Sequence, residues 1–129
     1  MKLISLVTLA AAPALFAATA FAADLGSEIN NAAQHAGLAA QAGNINGVHQ
    51  HMHHALNCLV GPRGDGFDAK EMNPCAQSGN GAIPDETNQI NKTKLMTARD
   101  DLAKGIADIN MNSAKASASA AQAAIESAK

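Results

Sequence analysis

The sequence predicts an all-α fold: an antiparallel up-down-up-down four-helix bundle with a long, disulfide-tied loop between its second and third helices. Three observations lead there. Alanine supplies 30 of the 129 residues, Trp and Tyr are absent, and the three Phe are Phe16, Phe21 and Phe67. That composition lacks the aromatic residues on which a sandwich or barrel is built. Apolar residues recur at three- and four-residue steps in four separate stretches. Between those stretches fall clusters of Gly, Pro, Asn and Asp, which end helices and make turns.

One segment precedes the fold. Lys2 is followed by an apolar run from Leu3 to Ala18 and then by Ala20-Phe21-Ala22, a small-x-small cleavage pattern. This reads as a secretory signal peptide over residues 1–22, cut after Ala22. The other reading, an uncleaved membrane anchor, suits the run less well: it is short for a span and contains Pro13. Residues 23–129 then form a single domain with 8 basic and 11 acidic side chains. No later stretch is apolar enough to cross a bilayer. The expected location is an export compartment, a bacterial periplasm first of all. In that oxidising space Cys58 and Cys75, the only cysteines, are expected to form a disulfide. Closing a ring of that size stabilises by about 3 kcal/mol in a loop-entropy treatment. Free thiols holding Cu(I) are the alternative.

The first helix is expected from about Leu25 to Ala42. Leu25, Ile29, Ala32, Ala36 and Ala40 make its apolar face, Ser27 is its cap and Gly43 ends it. Asn44-Ile45-Asn46-Gly47 is a turn. The second helix runs from about Gly47 to Val60, capped by Asn46, with Val48, Met52, Leu56 and Leu59 facing inward; Gly61-Pro62 stops it. Residues 61–84 form a connection long enough to need a function or a staple, and Phe67 is placed to cover one end of the core. The third helix starts near Asp85 and continues to about Ala107, with Leu95, Ala98, Leu102 and Ile106 in its stripe. After a turn at Asp108–Asn112, the fourth helix reaches about Ser127, burying Ala114, Ala118, Ala121 and Ile125. Alanine lets helices approach closely but buries little apolar area, so the core is expected to be modest in strength.

The chemical signal is His49-Gln50-His51-Met52-His53-His54, with His35 on the preceding helix. Neutral imidazole is the commonest protein ligand for zinc, copper and nickel. His49 and His53, four apart, lie on one flank of the Met52 stripe and are expected to form a clamp. His51 falls on the opposite flank, and His54 points mostly away from the core. His35 lies ten residues before Ile45 and His54 nine after it. In an antiparallel hairpin at ~1.5 Å rise per residue the two reach the same height. A bridging site using His35 and a second-helix histidine is therefore allowed, and His35, His51 and His54 are expected as further ligands beside the His49–His53 clamp. Met52 offers a thioether for Cu(I), with core packing as the competing role. Mixed His and Met in an oxidising space favours copper, with nickel and zinc as alternatives. The histidines also admit a pH-sensing role and a reading as solvated side chains without one.

His35-Ala36, Ala39, Gly43 and His54-Ala55 with Leu59 together resemble the repeat of the small metal-binding proteins of the bacterial periplasm. The resemblance covers about residues 32–60 and the signal peptide. It implies an exported, His-rich four-helix bundle that buffers or carries copper, nickel or similar ions, and it implies His35 and His54 as ligands. This chain departs from the pattern in having far fewer His, none of them after His54, and in carrying a loop with two Cys, so one site, or one with weak surface sites, is expected rather than multi-site storage.

Other signals are weaker. A net charge of −2 and the lack of stacking aromatics argue against nucleic-acid binding. Arg63-Gly64-Asp65 is a chance tripeptide in a Gly-rich loop, and Asp65, Asp68 and Glu71 lack the spacing of a calcium loop. Asn91-Lys92-Thr93 is a glycosylation sequon that falls on an expected helix. No Cys-x-x-Cys-His is present for covalent haem, and a non-covalent His–Met haem would lack an aromatic pocket. No nucleophile, base and orienting group occur together, so an enzyme is not expected. The alternative to metal binding is a structural or interaction protein of the cell envelope with incidental histidines.

Overall fold

The computed structural model describes residues 22–129; the signal-peptide expectation for residues 1–21 lies outside the described residues. Among the described residues the chain is all-helical, with five helices and no strand: α1 (Leu25–Gln41), α2 (Ile45–Val60), α3 (Ala82–Asp85), α4 (Gln89–Ala107) and α5 (Met111–Glu126). The four long helices pack side by side: α1 lies against α2 and α5, α4 against α5 and α2, and α2 also touches α5.

Every long helix begins on an Asp or Asn whose side chain accepts a backbone N–H of the first turn. Asp24 takes Ser27 N, Asn44 takes Gly47 N, Asn88 takes Ile90 N and Asn91 N, and Asn110 takes Ser113 N. These caps fill donors that the helix itself leaves open. Two expected caps are corrected. Asp24 serves α1 instead of Ser27, because its carboxylate reaches the Ser27 N–H at 2.9 Å. Asn44 serves α2 instead of Asn46, and the earlier start brings Ile45 against the core.

The third long helix also starts later than expected, at Gln89 instead of Asp85. Pro84 falls inside the short α3, which stops at Asp85, and the chain then turns. Buried Glu86 accepts Asn88 N at 2.7 Å, and Asn88 caps the new helix.

The core contains the expected stripes, except that Leu25, Ala40 and Ile106 are only partly buried. Ile29, Ala32, Ala36, Val48, Met52, Leu56, Leu59, Leu95, Ala98, Leu102, Ala114, Ala118, Ala121 and Ile125 are all buried, and Phe67 packs on their edge. Small residues set the helix spacing. A Cβ on Gly105 of α4 would collide with the Met52 thioether of α2, so these two helices meet with a methionine filling the space a side chain would take.

The segment after α2 is built by α2 itself. Cys58 is bonded to Cys75, 17 residues later, with Cα atoms 5.2 Å apart. One position earlier, fully buried Asn57 organises the loop's middle. Its amide donates to Asp68 O (3.0 Å), Met72 O (3.2 Å) and Glu71 O (3.4 Å), and its Oδ1 accepts Asp68 N (2.9 Å). The loop is thereby laid over the outer face of α2, which makes interior a surface that helix periodicity alone would leave wet.

Candidate metal centre

Three of the five histidines meet between α1 and α2. His35, His51 and His54 each place one ring nitrogen within 4.8 Å of the others. His35 Nδ1 and His51 Nδ1 are 3.2 Å apart. Ring centroids lie 5.1 Å (His35–His54), 5.5 Å (His35–His51) and 5.8 Å (His51–His54) from each other. His54 stands nearly perpendicular to both partners, at 85° and 89°. His51 and His54 are three apart and so share a face of α2. His35 reaches them from α1 across the short turn at Ala42–Asn44.

The loop completes the surroundings. His54 is buried, 5% exposed, where the sequence pattern turned it outward. The cause is the covering loop: Glu71, held near α2 by the Asn57 bonds to its segment, sets its carboxylate 3.5 Å from His54 Nε2. The other nitrogen, His54 Nδ1, is buried with no hydrogen-bond partner. A carboxylate facing Nε2 favours the proton on that atom and leaves Nδ1 its lone pair.

The electrostatics favour the neutral form of His35 and His54. Burial, then the nearby His54 and His51, pushes His35 down from 6.5 to about 4. Burial also lowers His54, partly offset by the Glu71 carboxylate. Neutral imidazoles are the form that binds metal. The spacing suits it as well. Two nitrogens bound to one tetrahedral ion at about 2.0–2.1 Å sit roughly 3.3 Å apart, and His35 Nδ1 and His51 Nδ1 already stand at 3.2 Å.

The remaining residues named from sequence are employed elsewhere. His49, expected in the clamp, directs Nε2 to Asp108 O at 2.8 Å and ties α2 to the turn before α5. His53, its expected partner, faces Asp68, with Nδ1 3.8 Å from Oδ2. The four-residue spacing fixes which side chains share a stripe but not which stripe the neighbouring helix presents to it; α1 meets the His51–His54 side. Met52 is fully buried and packs beside Gly105. Two participants escaped sequence reading. Glu71 carries no sequence signal beyond its place in an incomplete calcium-like pattern, whereas Asn57 does carry one: a lone amide between Leu56 and Cys58 in an apolar stretch is the kind of residue that must find partners when buried.

No family model, curated protein or solved structure matches the chain.

Proposed function

We propose that the protein is a non-enzymatic, periplasmic metal-binding protein that buffers, stores or delivers a copper, nickel or zinc ion through His35, His51 and His54. One observation carries this reading: three histidines each bring a ring nitrogen within 4.8 Å of the others, and one of the three, His54, is buried with its Nδ1 free of any hydrogen bond. Three imidazoles leave a further coordination position open, as suits an ion that is to be passed on. Copper is favoured in an oxidising compartment. The four long helices are taken as an antiparallel up-down-up-down bundle, which puts His35 and His54 at one height. The likeness of His35-Ala36 and His54-Ala55 to the small periplasmic metal-binding proteins supports the same ligands. The Cys58–Cys75 disulfide, the signal-like residues 1–22, and the absence among the described residues of any helix long and apolar enough to cross a membrane support export.

Calorimetric titration of metal-stripped protein with Cu(II), Ni(II) and Zn(II) tests this. His35→Ala, His51→Ala and His54→Ala are each expected to weaken binding more than about 100-fold, beyond the usual effect of losing an outer-shell partner. His49→Ala is expected to change it less than about tenfold. Binding no tighter than millimolar, or binding untouched by His35→Ala, removes the proposal. An envelope interaction protein is the second reading; exposed Ile109 (91%) and Ile90 (71%) favour it.

A further inference from the structure

At the other end of α1 a carboxyl is buried without a cation. Glu28 is fully buried. Its Oε1 accepts Gly81 N at 2.8 Å, while Oε2 is buried with no hydrogen-bond partner. The charged groups that act on it, Asp85 and Asp24, are both acidic. Asp85 is held by Asn80, whose N and Nδ2 donate to it at 2.7 and 3.1 Å, and Asp24 caps α1. Among the described residues none of these three carboxyls has an ion pair. A buried carboxylate normally has one, because desolvating an unpaired charge is expensive.

The chain's own Ala23 arrives at this spot. Asp24 N donates to Ser78 O at 2.6 Å, which pins the segment beside Gly79. The point that a Gly79 Cβ would occupy is closest to Asp85 Oδ2, 2.8 Å from Glu28 Oε1 and 3.1 Å from Ala23 Cβ. Glycine at 79 is what allows the three to converge.

We propose that cleavage after Ala22 completes the fold by placing the new α-ammonium of Ala23 against the Glu28–Asp85 carboxyl pair, a built-in N-terminal amine site that has no ion-paired cation among the described residues. The inference rests on the export reading of residues 1–22. Hydrolysis of the Ala22–Ala23 amide by the export peptidase consumes one water and leaves a carboxylate on Ala22 and an ammonium on Ala23. In the uncleaved chain that nitrogen is a neutral amide and cannot neutralise Glu28. Burial, opposed by the Gly81 N–H and reinforced by Asp85, accordingly pushes the uncompensated Glu28 up to about 7. Asp85 also lines an open cleft of about 910 Å³, which it shares with Gly79, Arg63 and Arg99.

The test uses protein exported in a bacterial host, its N-terminus read by mass spectrometry, with the α-amine either left free or selectively acetylated. Carboxyl ¹³C NMR follows Glu28 through a pH titration in both forms. The free-amine form is expected to titrate Glu28 at least about one unit lower than the acetylated form. It is also expected to melt several degrees higher. In Glu28→Gln and in Asp85→Asn the melting difference between free and acetylated forms shrinks. An identical Glu28 midpoint in both forms, a melting difference that survives Glu28→Gln, or an exported chain that begins elsewhere than Ala23 overturns the proposal. Metal titration of the same samples judges the histidine site independently.

Discussion

His54 meets a carboxylate at one nitrogen and packs beside two imidazoles. Glu71 Oε2 lies 3.5 Å from Nε2, and the buried Nδ1 has no hydrogen-bond partner. A partner of that kind orients a ligand ring and raises its basicity without touching the ion. Glu71→Gln is therefore expected to weaken metal binding about 10–100-fold with all three imidazoles intact, as read by competition against a chelator of known affinity. A change below twofold would show that Glu71 only rims the site. The neighbouring ring has a second consequence. His35 is pushed down from 6.5 to about 4 in the folded chain, chiefly by burial. As pH falls through that window the unfolded chain takes the proton first, so the metal-free fold loses stability toward acid. His35→Asn is expected to flatten that limb, measured as urea midpoints between pH 7 and 4.5. Glu28 is present in both proteins, so its opposite pH dependence cancels in the comparison. Parallel curves for the two proteins would contradict the assignment.

At the scale of the element, α2 does more than contribute a stripe to the core. Its inner face carries Val48, Met52, Ala55 and Leu59, and its outer face carries His54, Asn57 and Cys58, all buried. Asn57 alone satisfies four backbone groups of the loop. Asn57→Ala is expected to cost about 2–3 kcal/mol, since it strands buried donors and acceptors as well as losing the bonds. The same substitution should also weaken metal binding by displacing Glu71. Chemical unfolding and metal titration of one variant check both outcomes; a loss of stability with unchanged metal affinity would separate the loop from the site. This element also shows where sequence reading stops. Three- and four-residue spacing made the four apolar stripes legible, and Ile29, Met52, Leu102 and Ile125 are buried accordingly. The histidines carried a clear chemical message and an ambiguous spatial one. His49 and His53 satisfied the helical rule best, but α1 faces the side that bears His51 and His54. That side became interior through Asn57 and a 17-residue cystine closure, both tertiary effects with no local periodicity to reveal them.

For the whole molecule, the modest alanine core makes the covalent closure weigh more. Few large side chains are fully buried, Met52, Leu59, Leu95, Leu102 and Ile125 chief among them, and small domains of this kind lean on staples. Replacing both cysteines, Cys58→Ala with Cys75→Ala, is expected to destabilise by about 3 kcal/mol, visible as a lower thermal midpoint than wild type. An unchanged midpoint would mean that Asn57 and the core hold the loop unaided. The chain places its chemistry unevenly: all five histidines lie between residues 35 and 54, while α4 and α5 contribute packing surface and the turn that receives His49.

The covering loop also sets how an ion at the three histidines would be reached. His54 is sealed beneath it, whereas His35 and His51 remain half-buried at the rim. Among the described residues, an ion lodged among the three rings would be most open on the side of those two residues. A chaperone or chelator taking the ion would first replace His35 or His51 and would meet His54 last, so handover runs in one order, from the rim inward.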